Sequence, residues 1–263
     1  MSNALEHSYN LAQTRQKWTT IAVIALILGL VLTTFDVIWA FFRAPIVASD
    51  VVIDPPAVLE GGTVITNQLL FSQKIFYFHV PVAIVSFVLI IAAAVYAVLH
   101  LMHHSAETDL RSKTCMEVGL VFIIGTMISG DLWTRHDWGV WWVWEPRLTT
   151  YFILTLLVIA YFVLRTAIDE PERKARFSAV FAIIAAIDAP ISFGITRLIP
   201  SSIHPVLERG DSGMSPDMLI PFVCGIFGML LVAFGIFRLR LLLQEQKLEV
   251  ESLKARLEEL DRQ

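Results

Sequence analysis

Apolar residues fall in six long blocks, roughly residues 18–42, 72–102, 114–134, 149–168, 177–197 and 217–240, divided by shorter polar stretches. About 20 helical residues cross the hydrocarbon of a bilayer, and each block reaches that length. Lipid offers unpaired backbone groups no partner, so a spanning segment is either a helix or part of a closed barrel. Continuous apolar runs of this length, without alternation, predict helices. The expected fold is all-α, an integral membrane bundle of six transmembrane helices.

The first block follows Arg15 and Lys17 and could be mistaken for a signal peptide. Its length, about 25 apolar residues, exceeds the 7 to 15 of an h-region, so it is read as an anchored helix. Orientation follows from the basic residues. With the N-terminus in the cytoplasm, fourteen of the 20 Lys and Arg fall inside, leaving Arg43, Lys74, Arg135, Arg147, Arg197 and Arg209 outside. Both termini are therefore expected to be cytoplasmic. This topology divides the chain into a cytoplasmic tail (1–17), a six-helix domain (18–240) and a cytoplasmic amphipathic C-terminal helix (241–263). The outer face then carries an insert (44–70), a tryptophan-rich loop (135–148) and a histidine-bearing segment (198–216). Within the insert, Pro55-Pro56 and Gly61-Gly62 break regular structure, and NQLLFSQKIF is placed along the interface.

Composition agrees with a membrane protein: 56% hydrophobic, 17% charged, with a mean hydropathy of +0.66. A net charge of −4 spread over two sides of a bilayer does not suggest nucleic acid. The two cysteines, Cys115 and Cys224, fall toward opposite ends of their helices, too far apart for a disulfide. Without CxxC, CxxCH or GxxxxGK[ST], the chain is neither a dithiol oxidoreductase nor a c-type cytochrome, and ATP hydrolysis would belong to a partner.

Candidate chemistry gathers on the outer side. His79 lies in KIFYFHVPVA near the outer end of the second helix, and His204 lies in RLIPSSIHPV between Pro200 and Pro205. Two imidazoles at one level can ligate haem iron from both faces. A lone interfacial histidine is ordinarily a hydrogen-bonded anchor, so the pair gains weight only from its neighbours. His100, His103 and His104 have helical metal-ligand spacing, but they end a helix on the wet inner side and are read as such.

Those neighbours are indoles. Trp133, Trp138, Trp141, Trp142 and Trp144 crowd into twelve residues, whereas an ordinary aromatic belt, which accounts for Trp18 and Trp39, needs one or two rings per helix end. Indole faces suit a broad planar apolar ligand. Arg135, Arg147, Arg197 and Lys74 would supply cations for a porphyrin's propionates.

WGVWWVWEPRLTT resembles the tryptophan-rich signature WGxxWxWDxRLT of the haem-handling membrane proteins of cytochrome c maturation. FYFHVPVA, DAPIS and IHP, with the length and six helices, make the chain most similar to the haem exporter C (CcmC) family over roughly residues 18–240. The resemblance implies haem b held non-covalently and transiently, with His79 and His204 as axial ligands of the iron and the motif carried by Trp138, Gly139, Trp142, Trp144 and Arg147. It also implies partners: a periplasmic haem chaperone (CcmE-like), ABC-type ATPase and permease subunits (CcmA- and CcmB-like) and a small single-span protein (CcmD-like). The expected role is a carrier and presenter of haem at the outer face of the bacterial cytoplasmic membrane, not an enzyme. This sequence departs from the commonest motif in carrying Glu145 where Asp is usual.

Two other classes stay open at this point: a b-type cytochrome subunit in quinone-linked electron transfer, and a secondary transporter of an aromatic or anionic solute. A cytochrome c haem-lyase component shares the motif but is usually much larger. Asp36, Asp131 and Asp188 lie within membrane blocks and are functional candidates by default; helix-breaking polar contacts or pairing with outer arginines are the structural readings. Beyond the last block, Leu243, Val250, Leu253, Leu257 and Leu260 repeat at 3.5-residue spacing, fewer than three heptads in all.

Overall fold

The computed structural model describes residues 2–45, 57–58, 64–65, 69–199 and 214–262. Six helices follow in order: α1 (Ser2–Phe42), α2 (Leu69–His103), α3 (Ala106–Asp137), α4 (Pro146–Ala167), α5 (Pro171–Leu198) and α6 (Pro216–Asp261). All six are long and apolar enough to span a membrane. The insert between α1 and α2 contributes a two-residue antiparallel pairing of β1 (Ala57–Val58) with β2 (Val64–Ile65).

Local signals account for the helix starts. Pro146, Pro171 and Pro216 open α4, α5 and α6, where proline's fixed φ suits a helix and its missing N–H costs nothing. α1 begins at Ser2, so the helix also takes in the polar N-terminal stretch. α2 begins at Leu69, so most of NQLLFSQKIF forms its first turns. At the other end, α6 runs unbroken to Asp261 through 46 residues, about 70 Å at 1.5 Å per residue.

α2 is the hub of the bundle, packing on α1, α3, α5 and α6. One core cluster joins α2, α3, α4 and α5 through Ile90, Met116, Ile123, Leu154, Val158, Tyr161 and Ala182. A second joins α2, α3 and α6 through Val85, Val118, Phe122 and Met229. α1 rests chiefly on α6, across a seam of small residues. A Cβ on Gly29 would lie 2.7 Å from the Gly228 carbonyl oxygen, and one on Gly228 would lie 2.7 Å from Thr33 Oγ1. Glycine here lets two backbones approach closely, the usual basis of helix association in lipid.

The two ends of the bundle differ in chemistry. At the end where α2 turns into α3, Glu117 accepts from Arg240 Nε at 2.8 Å and Gln244 Nε2 at 2.6 Å. Arg165 there makes a bidentate pair with Asp109, at 2.7 and 2.9 Å, and Arg15 pairs with Glu249. His100 Nδ1 lies 2.8 Å from the Ser105 carbonyl oxygen, as suits a histidine finishing a helix. Among the described residues no group of three His, Cys, Asp or Glu could hold a metal ion. The opposite end carries the tryptophan-rich segment between α3 and α4.

Candidate functional site

His79 is positioned by α3. Thr126, Ser129, Gly130 and Trp133 recur at helical spacing and so share one face of that helix. From that face Ser129 Oγ approaches His79 Nδ1 at 2.9 Å. The Trp133 ring meets the imidazole at a centroid separation of 5.5 Å and an interplanar angle of 85°. Gly130 makes room for the ring, since a Cβ there would lie 3.2 Å from His79 Cε1. The imidazole is thus fixed in position and rotation by a hydroxyl on one side and an indole on the other.

The tryptophan segment turns back from the end of α3 to the start of α4. Trp138 caps α3, its N–H donating to the Thr134 carbonyl oxygen at 2.8 Å. Gly139 then adopts a φ of +72°, a left-handed conformation that glycine takes without steric cost. Thr134 Oγ1 donates to the Trp141 carbonyl oxygen at 2.9 Å, which binds the segment to the helix that holds Trp133. Glu145 closes the turn as the N-cap of α4, accepting the Leu148 N–H at 2.7 Å. The motif's acidic residue therefore has a backbone role here, one that Asp at an N-cap also fills.

The indoles are not spent on the core. Trp142 and Trp144 meet edge-on at 5.5 Å, and both pack against Phe152 of α4 at 5.7 and 6.1 Å. Trp144 is nevertheless 72% exposed and Trp141 59% exposed. Trp142 Nε1 is buried with no hydrogen-bond partner among the described residues, although a buried indole N–H ordinarily finds an acceptor. Uncovered indole rings beside an orphaned donor suit a flat apolar ligand that also carries acceptor groups.

The cations divide. Arg135 lies over the Trp141 ring at 5.9 Å and donates to the Gly139 carbonyl oxygen. Arg147 Nη2 donates to the Phe193 carbonyl oxygen at 2.8 Å and to Thr196 Oγ1 at 3.0 Å, tying the start of α4 to the end of α5. Arg197 follows Thr196 in α5, and its side chain lies outside what the structure describes. Lys74 is buried, its ammonium donating to the Ala40 and Ala44 carbonyl oxygens, which is a helix-capping role. His204 also lies outside the described residues.

Sequence reasoning did not single out Ser129, Gly130, Thr134 or Phe152. A signal for the first two was present, since SGDLW sets Ser129 and Trp133 four residues apart on one helix face. What it faces is a matter of tertiary packing. Of the three intramembrane carboxylates, Asp36 is almost fully buried, and it faces Gly225, where any side chain would collide with it. Asp36 Oδ1 and Asp188 Oδ2 are buried without a hydrogen-bond partner among the described residues.

The family model for heme exporter protein C matches residues 66–256. Heme exporter protein C of Rhodobacter capsulatus is 27% identical over 225 residues, 84% of this chain and 85% of that protein. The protein of the same name from Escherichia coli K12 is 28% identical over 170 residues, 65% and 69% of the two chains. That from Bradyrhizobium diazoefficiens is 31% identical over 157 residues, covering 58% of this chain and 59% of its own.

Proposed function

The chain belongs to the heme exporter protein C family, and on that premise we propose that it binds haem at the tryptophan end of the bundle and hands it to a periplasmic haem chaperone during cytochrome c maturation. The protein is a multi-pass protein of the bacterial inner membrane, with both termini in the cytoplasm and the tryptophan end toward the periplasm. Haem b is its cargo, held non-covalently. It acts as a carrier, and ATP hydrolysis is the task of partner subunits of the ABC type, with a permease subunit and a small single-span protein completing the assembly.

The observation that carries this reading is the setting of His79, fixed between Ser129 and Trp133 at the end of the bundle where Trp141 and Trp144 are exposed. His79 and His204 supply the axial nitrogens. Trp138, Trp141, Trp142 and Trp144 extend the apolar shelf begun by Trp133, and the buried Trp142 N–H, without an acceptor among the described residues, would find one in a propionate. Arg135 and Arg197 are the cations assigned to the propionates. Arg147, held at the start of α4 by its contacts with α5, joins them as a third cation at this end. The protein's contribution to transfer is orientation of the bound haem, which presents one edge to the chaperone.

The test is the absorption spectrum of the purified protein, oxidised and reduced. Substituting both His79 and His204 by Ala removes the low-spin Soret and visible bands if these are the ligands. Haem retained with unchanged bands in the double variant refutes the assignment.

A further inference from the structure

We propose that Ser129 sets the tautomer of His79, holding the ring proton on Nδ1 and leaving Nε2 as the unprotonated nitrogen that meets iron; the second half of this statement rests on the haem reading above. Ser129 Oγ lies 2.7 Å from the Gly125 carbonyl oxygen, 3.2 Å from that of Thr126 and 2.9 Å from His79 Nδ1. A serine hydroxyl has one hydrogen to donate and two lone pairs with which to accept.

If that hydrogen pointed at Nδ1, two oxygens would face each other at 2.7 Å with only lone pairs between them. If it points at the Gly125 carbonyl, the back-bond that helical serines commonly make, every contact is attractive. Oγ then accepts, and Nδ1 must be the donor. A neutral imidazole carries one proton, so Nε2 bears the lone pair.

The packing around the ring fits a positioning role. Gly130 lets the imidazole lie against α3, with a prospective Cβ 3.2 Å from Cε1, and the Trp133 edge contact at 85° opposes rotation about χ2. A ligating histidine typically donates its second nitrogen to an acceptor, which fixes the ring and makes the ligating nitrogen more basic. Ser129 supplies that acceptor from a helix backbone that its own hydroxyl is bonded to, so the acceptor is itself immobilised.

Two measurements test this. The first needs no haem: nitrogen-15 NMR of the full-length, histidine-labelled protein in detergent, with the His79→Ala variant used for assignment. A pyrrole-type Nδ1 and a pyridine-type Nε2 are expected, and the reverse pattern overturns the proposal whatever becomes of the haem reading. The second is hemin titration with redox potentiometry on Ser129→Ala and Ser129→Thr. Ser129→Ala should weaken hemin binding roughly 10- to 100-fold and raise the reduction potential, because a less basic imidazole stabilises ferric iron less. Ser129→Thr, which keeps the hydroxyl, should restore both. Wild-type affinity and potential in Ser129→Ala, alongside loss of hemin from His79→Ala, overturns the role of Ser129 and leaves the ligand assignment standing. Hemin kept by His79→Ala refutes the ligand assignment and leaves the tautomer to the NMR result.

Discussion

Lys74 on α2 donates its ammonium to the carbonyl oxygen of Ala40 on α1 at 2.5 Å, and reaches the Ala44 carbonyl at 2.7 Å. One side chain so closes the last turn of α1 and fastens it to the hub helix beside the site. Carbonyls at a helix C-terminus have no intrahelical donor, and a charged donor answers both that need and the negative end of the helix dipole.

Lys74→Met should therefore lower stability, by about 1.5–3 kcal/mol for a lost hydrogen bond to a charged group, seen as a lower midpoint of thermal unfolding in detergent followed by circular dichroism. At a temperature where the variant is folded, its hemin affinity should match that of the parent protein. A large loss of affinity with an unchanged midpoint would place Lys74 on the ligand instead.

The α1–α6 seam predicts a contrast between two glycines. Gly228→Val drives a side chain into Thr33 and the Gly29 carbonyl, and overpacking of this kind costs about 1–3 kcal/mol. A Cβ at Gly194 meets nothing within 4 Å among the described residues, so Gly194→Ala should leave the unfolding midpoint unchanged or slightly higher. Equal effects from the two substitutions would contradict the close approach of α1 and α6.

Glu145 predicts a graded series. Glu145→Ala removes the carboxylate that accepts the Leu148 N–H, and loss of such an N-cap costs about 1 kcal/mol. The tryptophan segment enters α4 through this turn, so hemin affinity should fall as well. Glu145→Asp, which keeps a capping carboxylate, should stay near the parent protein in both unfolding midpoint and hemin titration.

Trp142 separates ring from N–H. Trp142→Phe keeps an aromatic face against Phe152 and removes the donor that has no partner among the described residues. Without ligand, the variant should be no less stable than the parent, because a buried unsatisfied donor is itself destabilising by about 1–3 kcal/mol. With hemin present, ligand-induced stabilisation should be smaller in the variant, read as the difference between the two thermal shifts.

The six spans were legible because lipid imposes a rule that depends on length and apolarity alone. The tryptophan segment was legible because five indoles in twelve residues exceed any need of an interfacial belt. Less could be read where a residue's partner is distant in sequence. Lys74 and Arg147 read as cations on the ligand's side of the membrane; that Lys74 caps α1 and that Arg147 also bonds Phe193 and Thr196 on α5 could not be read there. Glu145 read as the acidic member of a ligand motif, and it caps α4. Charge is visible along a chain, but what satisfies it depends on which backbone groups another helix leaves open.

Spanning helices, their number and the concentration of indoles between two of them followed from the amino-acid sequence alone, since each depends on residues adjacent in the chain. That α2 stands at the hub, that α1 rests on α6 through facing glycines, and that Ser129, Gly130 and Trp133 close around His79 were decided by tertiary structure. Ser129 and His79 lie 50 positions apart, and hydrogen-bond geometry acts over about 3 Å of space. No local pattern encodes such a contact; only the packing of α2 against α3 creates it.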